Sequence, residues 1–448
     1  MDYMIGVTSQ FLMVTRVSLT SIDYEFSCTF SFLYLLTLPV ISSGKRAACF
    51  AAWNLLDFIL KDSQFGLNTG HSDDQDFIEP DLTKIHEPPD QDSSSTKSNL
   101  TDSKVPDEEN TSREKKEHTE DLVEALEKDL KLNTDTIPPV KTENVSATNQ
   151  PKISSYSTSE ELESVKQAIK SGFLRVDESM RTSAQDRSGS TAVCAMISPT
   201  HLFIANCGDS RAVFCSSTDK SNYEIFATED HKPFKEKERQ RIINAGGGAT
   251  QRINGTLAVS RALGDFEFKR DTQRGPCEQL VSPEPEVTII ERKSDDQFLI
   301  LACDGIWDVM DNQDICELVR YKLKVEPSLE KVCSSILDAC LTKGSRDNMS
   351  IIIVVFENGP KFSEEEQLND KKNDELIREI AEGISVQPSS FNEFVVDCSS
   401  ALADLTDLKL PIEAKYDLLR EVFQEKCSDH EVPRKVIMPN YLEEVEND

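Results

Sequence analysis

Residues 191 to 215 read TAVCAMISPTHLFIANCGDSRAVFC, and this stretch decides the fold class. Short apolar runs alternate here with turn signals, which is the pattern of consecutive β-strands. Further runs of this kind follow before residue 357, namely LAVSRAL, EVTII, QFLILAC and SIIIVVF. Between them, residues 315–323 and 329–341 carry apolar residues at helical spacing. The chain is therefore predicted to form strands followed by helices in a layered α+β fold.

The segment before this region predicts two helices separated by a long insertion. Residues 45–61 are amphipathic at helical spacing, and a second helix is predicted to start at Ser159 and to run past Phe173. Residues 66–158 between them are acidic, polar and nearly free of aromatic residues, so they cannot bury enough apolar surface to fold. They are predicted to be a disordered acidic insertion, within which residues 120–132 have a helical period and are able to fold on a partner.

The first 43 residues are ambiguous. Residues 26–43 carry no charge and are just long enough to be read as a membrane span. Asp23 and Glu25 stand where a targeting signal needs positive charge, and polar residues and a proline interrupt the run. The alternative interpretation is one or two buried strands, and we favour it.

Charge and cysteine usage exclude several classes of protein. The 49 Lys and Arg residues face 80 Asp and Glu residues, which gives a formal net charge of -31. Such a chain is not expected to bind nucleic acid or to dock on an anionic membrane. The 12 cysteines are scattered without a C-x-x-C pair, which argues against zinc ribbons and disulfide scaffolds and favours a reducing compartment. We expect a cytoplasmic protein, with the nucleus as a second location.

The C-terminal part is predicted to be helical. Ser363 and Glu366 have the spacing of a capping box, and apolar periodicity marks residues 374–381, 391–402 and 412–426 as helices. Residues 359–448 are therefore predicted to form a small helical domain of their own.

Three acidic motifs lie at predicted strand ends. Asp209 follows HLFIANC, and Asp347 precedes SIIIVVF; each alone is compatible with an ordinary turn. Asp304 ends the run LILAC and is followed by Gly305, with Asp308 one helical turn later, as in a hard-cation site at a sheet edge. Together, acidic oxygen ligands at strand ends, with no nearby His or Cys ligands, favour Mg²⁺ or Mn²⁺ over zinc, and such ions assist hydrolysis at phosphoryl groups.

Other motifs give weaker signals. Residues 244–249 are rich in glycine but match neither a dinucleotide-binding nor an NTPase fingerprint. His231 is a candidate acid or base, although a lone loop histidine is more often structural. Ser260 lacks the surroundings of a nucleophilic serine.

A longer set of motifs carries a family resemblance. The matching segments are Asp186–Val193, Ile204–Arg211, Glu229–Pro233, Asn254–Asp265, Leu280–Glu286, ACDGIWDVM at 302–310 and GSRDNMS at 344–350. In this order they resemble the metal-dependent PPM-type (type 2C) protein serine/threonine phosphatases, and in particular the animal alpha and beta forms. The resemblance covers residues 159 to 358, and the C-terminal helices are similar to the extra domain of those forms.

The resemblance implies a fold and a site. The fold would be a two-sheet antiparallel β-sandwich flanked by helices, spanning residues 44–358. A centre of two Mg²⁺ or Mn²⁺ ions would activate a water that attacks phosphoserine or phosphothreonine. By motif, Asp304 and Asp347 would be ligands of one core metal. Asp209 and Asp308, together with Asp304, would form a weaker third site. His231 and Lys232 would begin the flap that bears on substrate choice, and the protein would be a monomer acting on phosphoproteins.

The N-terminal motifs of the family are missing. Val40, Ile41 and Ser42 stand where the family has Asp, Gly and His, and no Glu-Asp pair precedes them. In the family that Asp bridges both metals, the Gly carbonyl holds the second metal and the His is the presumed general acid. The second metal site and the catalytic acid of this chain are therefore unassigned. The sandwich would also be incomplete at its N-terminus, unless residues 4–41 supply substitute strands.

Two origins and three functions remain open from the sequence. Either residues 1–43 derive from an alternative start or a mistaken gene prediction, or the chain is a true inactive phosphatase. The function is that of a phosphatase, of a catalytically inactive binding or scaffold protein, or of a membrane-anchored phosphatase, the last depending only on residues 26–43.

Overall fold

The computed structural model describes residues 2–7, 17–18, 34–41, 45–60, 158–183, 188–218, 222–384, 388, 390–406 and 408–427. The predicted acidic insertion lies outside these residues except for Thr158, and so does the predicted helix at 120–132. The predicted domain boundaries at residues 44, 66 and 359 stay predictions.

Strands of the described chain form two antiparallel sheets. The first contains β1 (Asp2–Val7), β6 (Arg211–Ser217), β7 (Tyr223–Ala227), β10 (Asp296–Ala302) and β11 (Ser350–Val355), in the order β1-β11-β10-β6-β7. The second contains β2 (Val17–Ser18), β3 (Tyr34–Ile41), β4 (Gly189–Ile197), β5 (His201–Cys207) and β9 (Glu286–Glu291), in the order β2-β3-β4-β5-β9. The short strand β8 (Leu263–Gly264) pairs with β4.

Helices flank both sheets and continue past them. They are α1 (Lys45–Leu60), α2 (Ser159–Ser183), α3 (Glu236–Asn244), α4 (Asp304–Trp307), α5 (Asn312–Val325), α6 (Leu329–Thr342), α7 (Glu364–Gly383), α8 (Phe391–Leu405) and α9 (Tyr416–Lys426). Short 3₁₀ helices span Phe266–Phe268, Pro276–Glu278 and Ile412–Lys415. The predicted helices are confirmed within a few residues, except that α7 begins well before residue 374. The predicted α+β class is confirmed.

One predicted strand is wrong. The run LAVSRAL at 257–263 contributes only Leu263 to a strand, while Leu257 and Arg261 form isolated bridges with Ile253 and Ser282. Side-chain hydrogen bonds hold this segment instead, as Arg261 and Ser260 both bond to Glu238. Apolar alternation alone does not reveal such partners.

The core is layered because both faces of each sheet are covered. In β4, the side chains of Val193, Ala195 and Ile197 pack between the sheets. The alternate residues Cys194 and Met196 belong to the cluster that packs under α1 and α2. All nine residues of β4 are buried, so neither face of this strand is exposed to water. Helices α5 and α6 cover the first sheet in the same way.

The C-terminal helices share a core with the sandwich. Phe394 of α8 and Phe423 of α9 are fully buried in the same cluster as Val319 of α5 and Ile336 of α6. The Phe423 ring lies 5.4 Å from that of Phe394 and 5.5 Å from that of Phe391. Of the predicted capping box of α7, the structure has one bond, in which Ser363 accepts from the Glu366 N–H at 3.4 Å; the Ser363 N–H donates to the Lys324 carbonyl at 2.9 Å instead.

The N-terminal residues add one strand to the first sheet and two to the second. The backbone of β1 pairs antiparallel with β11, and that of β3 pairs with β4 along its whole length. Residues 34–41 thus follow the strand interpretation of the uncharged segment. In the part of the chain that the structure describes, no helix is long and apolar enough to cross a membrane.

Candidate active site

The sheet register brings the predicted acidic motifs to one end of the first sheet. Ala302, the last residue of β10, lies opposite Arg211 of β6 and opposite Ile351 of β11. Asp304 closely follows Ala302, and Asp209 closely precedes Arg211. Neighbouring strands are antiparallel, so the loop that leaves β10 and the loops that enter β6 and β11 lie at the same edge. The motifs therefore converge although long segments of chain separate them.

A glycine shapes the turn that carries Asp209. Gly208 has φ +128°, which L side chains rarely adopt, and a β-carbon there would collide with Thr191 of β4. Asp209 itself is only 5% exposed. The ammonium group of Lys232 donates a hydrogen bond to its carboxylate. Asp209 is thus held in a fixed position with a counter-cation beside it.

The helical turn α4, which begins at Asp304, packs tightly against the loop that carries Asp347. Gly305 lies so close to the carbonyl of Asn348 that a β-carbon would overlap it. From the other side, the Ser345 hydroxyl donates to the Gly305 carbonyl at 2.7 Å. The two carboxylates are therefore positioned by one shared packing contact rather than by two independent turns.

Arg211 braces this end of the sheet. Its guanidinium donates two hydrogen bonds to Asp230, at 2.9 and 2.8 Å, and one to Asn312 of α5 at 2.7 Å. It also lies over the ring of Trp307 at 5.0 Å. The Trp307 indole in turn donates to the Ala302 carbonyl at 2.8 Å. The loop after β10 is thereby tied to the start of β6.

Crowded carboxylates dominate the electrostatics. The pKa of Asp304 is raised to about 7, first by burial and then by three neighbouring carboxylates. Those neighbours are Asp209, Asp347 and Asp308, in order of effect. Burial also raises the pKa of Asp308. Burial lowers the pKa of Lys232, but the carboxylates, led by Asp209, outweigh it and the net shift is upward. The cluster thus carries more negative charge than its own lysine balances.

His231 is used inside the fold. Its side chain is buried, and its Nδ1 accepts a hydrogen bond from the Gly208 N–H at 3.1 Å. Its Nε2 lies 3.4 Å from a carboxylate oxygen of Glu286. Both ring nitrogens therefore have protein partners, as a structural role requires. The assignment of His231 and Lys232 to a substrate flap stays a prediction.

Comparison with known proteins identifies the family. Residues 98–349, more than half of the chain, match the family described as Protein phosphatase 2C. The chain belongs to this family. The resemblance predicted from the motifs is thereby confirmed.

The chain is also similar to protein phosphatases of animals. The chain is 48% identical to mouse "Protein phosphatase 1B" over 256 residues, which are 56% of this chain and 64% of the mouse protein. It is 52% identical to bovine "Protein phosphatase 1A" over 238 residues, or 50% of this chain and 61% of the relative. The match thus spans about three fifths of these relatives. The crystal structure of serine-threonine phosphatase 2C from Toxoplasma gondii aligns with a TM-score of 0.49 at 16% identity, covering 79% of this chain and 94% of that one.

The acidic cluster has the donor chemistry of the metal centre that the family implies. Its carboxylates offer hard oxygen ligands, as Mg²⁺ and Mn²⁺ prefer, and the raised pKa of Asp304 reports unbalanced negative charge. Among the described residues, no three His, Cys, Asp or Glu side chains already surround one point. In this arrangement Lys232 engages Asp209. The carboxylate oxygens therefore fit a hard cation by their chemistry. For several of them to bind one ion, Lys232 would have to release the carboxylate of Asp209.

The position of the missing phosphatase motif is visible in the backbone. Ile41 of β3 lies opposite Ser190 of β4, which on its other side pairs with Leu263 of β8. Shortly after β8 comes Asp265, whose Oδ2 is buried without a hydrogen-bond partner. The pKa of Asp265 is raised to about 6, chiefly by burial. The C-terminal end of β3 and the segment that carries Asp265 thus lie on either side of the first residues of β4.

Sequence reasoning missed the buried and heavily bonded carboxylate of Glu238. Glu238 of α3 is 3% exposed and accepts hydrogen bonds from Arg241, Arg261 and Ser260. These partners hold its pKa at about 2, against the opposing effect of burial. The available signal was its helical spacing with the buried Ile242, four residues later. A charged residue on an apolar face indicates a buried ion pair.

Proposed function

We propose that this chain is a metal-dependent protein phosphatase that hydrolyses phosphoserine and phosphothreonine. The observation that carries the proposal is the convergence of four aspartates at one sheet end, with the pKa of Asp304 raised to about 7. Such a cluster is costly to maintain in a folded protein unless a cation relieves it. Family membership supports the same reaction class.

Each residue has an assigned role in this proposal. Asp304 and Asp347 would hold one of two core Mg²⁺ or Mn²⁺ ions, and Asp209 and Asp308 would join Asp304 at a weaker third site. Bound ions of this kind lower the pKa of a water and neutralise charge on phosphoryl oxygens. Lys232, which bonds to Asp209 in the structure, would release that carboxylate when a metal binds and would then place its positive charge beside the arriving anionic phosphoryl group.

A second candidate is a catalytically inactive phosphatase-like binding protein. The observation that favours it is the identity of the residues at the end of β3, where Val40 and Ile41 replace a ligand-bearing motif. Neither side chain is able to bind a hard cation or to donate a proton. In that case the protein would hold phosphoproteins without hydrolysing them.

Phosphate release from a phosphothreonine peptide, measured with and without Mn²⁺, separates the two candidates. The phosphatase predicts Mn²⁺-dependent release that Asp304→Asn lowers by about a hundredfold or more. The binding protein predicts no release by either variant, but retention of the peptide by wild-type protein that circular dichroism shows to be folded. Equal activity in both variants would contradict the assignment of Asp304.

The remaining expectations concern the cellular setting. We propose phosphoproteins as partners and a monomeric protein in the cytoplasm, with the nucleus as a second location. Size-exclusion chromatography with light scattering tests the monomeric state, and fractionation after detergent-free lysis tests the location.

A further inference from the structure

A buried carboxylate anchors the helix α3. Glu238 accepts hydrogen bonds from Arg241 at 2.5 Å, from Arg261 at 2.6 Å and from Ser260 at 2.8 Å. Arg261 is buried and reaches the carboxylate with its Nε as well, at 3.1 Å to both oxygens. A buried carboxylate with charged donors on both oxygens forms strong, directional contacts.

The two arginines extend the anchor into the surrounding loops. Arg241 also donates to the carbonyls of Gln279, at 3.1 Å, and of Ser260. Arg261 donates to the carbonyl of Glu284 at 2.9 Å. Glu238 therefore holds together three separate segments: α3, the loop around residue 260 and the loop at 279–284.

A chain of hydrogen bonds runs from this anchor to the acidic cluster. The Ser260 N–H donates to the His231 carbonyl at 2.9 Å, and the His231 N–H donates to the Gly208 carbonyl at 2.9 Å. The Gly208 N–H donates back to the His231 ring at 3.1 Å. Gly208 directly precedes Asp209 in the chain. Each of these hydrogen bonds joins buried groups that water does not reach. A displacement at one end is therefore passed to the next residue along the chain of bonds.

We infer that Glu238 is a positioning residue of the active site, which fixes Asp209 and Lys232 through Ser260, His231 and Gly208. The inference rests on the proposed function for its chemical meaning, since Asp209 would be a metal ligand there. The structural part of the inference does not depend on catalysis. Loss of the Glu238 charge is expected to loosen the segments around residues 208, 231 and 260 together.

The test is hydrogen exchange by mass spectrometry on the full chain, with a matched control on the same helix. Glu238→Gln keeps the shape and removes the charge. Glu236→Gln makes the same change at a side chain that is 82% exposed. Glu238→Gln is expected to speed exchange at the amides of Gly208, His231 and Ser260 by about tenfold or more. Glu236→Gln is expected to leave those rates unchanged.

Mn²⁺ affinity, measured by calorimetry, is the second readout. Glu238→Gln is expected to weaken binding about three- to tenfold relative to Glu236→Gln, because Asp209 loses its fixed position. If wild-type protein binds no Mn²⁺, the proposed function loses its cofactor, while the exchange rates still decide the positioning role.

Two results would overturn the inference. One is unchanged exchange at Gly208 and His231 in Glu238→Gln. The other is equal acceleration throughout the sandwich, including the centre of β4, because a merely structural residue lowers stability everywhere. If Glu238→Gln does not fold, Ser260→Ala removes one of the hydrogen bonds and is expected to show the same local pattern at reduced size.

Discussion

The ionised carboxyl group of Asp304 lowers the stability of the folded protein. Its pKa rises from the ordinary value of 3.8 to about 7, because folding buries it and places it among other carboxylates. A raised pKa means that the folded state resists ionisation of this group. The energetic cost is absent below about pH 4, grows as the pH rises and is complete above about pH 7.

Asp304→Asn is therefore expected to stabilise the cation-free protein. Unfolding by urea in the presence of a chelator should show a gain of about 1–3 kcal/mol at pH 8 and almost none at pH 4, since a shift of one pKa unit is about 1.4 kcal/mol before screening. Equal stabilities of variant and wild type at pH 8 would show that the cluster is balanced by other groups.

At the scale of elements, the contact between α4 and the loop before β11 sets the geometry of the cluster. Gly305 is required there because the Asn348 carbonyl occupies the space of a β-carbon. Gly305→Ala should push the loops apart, lower stability by about 1–3 kcal/mol and weaken Mn²⁺ binding. Gly248→Ala is the control, since its β-carbon would have only Asn254 within 4 Å. Thermal unfolding and calorimetry of both variants check this; similar losses in the two would contradict it.

The elements also show what the sequence was able to predict. The strands β4, β5, β10 and β11 were predicted because their apolar runs are short and bounded by turns. Their aspartates were predicted for the same reason, as residues that follow or precede such runs. The convergence of those residues depends on which strands are neighbours, and pairing is a property of the whole sheet.

The missed features depend on contacts that are distant in sequence. The anchor Glu238 is bonded to Arg261, and the segment around Arg261 was predicted as a strand because its apolar residues alternate. The side-chain network replaced the strand ladder there. The pairing of Lys232 with Asp209 was likewise not predicted, because no local pattern joins a loop lysine to a turn aspartate.

At the scale of the whole molecule, the C-terminal helices and the sandwich share one hydrophobic cluster. Phe423→Ala should cost about 3–5 kcal/mol, because it opens a cavity between the rings of Phe391 and Phe394. The matched control is Leu405→Ala on α8, where the side chain is 71% exposed and the loss should be below about 0.5 kcal/mol. Calorimetric scans should show the loss in the main transition; a separate early transition would mean that the helices fold on their own.

The N-terminal strands permit a test of the missing chemistry. Val40→Asp, Ile41→Gly and Ser42→His, made together, restore the residues that the phosphatase family has at these positions. The triple variant is expected to release phosphate from a phosphothreonine peptide with Mn²⁺ at least about tenfold faster than the parent chain. Adding Asp304→Asn should abolish that gain. An unchanged rate in a folded triple variant would mean that β3 does not present these positions to the cluster.

The strands β1 and β3 pair with their sheets through main-chain hydrogen bonds, and every non-proline residue can form such bonds whatever its side chain. Closure of the sandwich and completion of its chemistry are therefore separate properties of the same residues. Substitutions in β3 can therefore remove the reaction and keep the strand pairing, and the reverse substitutions can restore the reaction on the same backbone. Folding depends here on the main-chain atoms, and catalysis depends on the side chains.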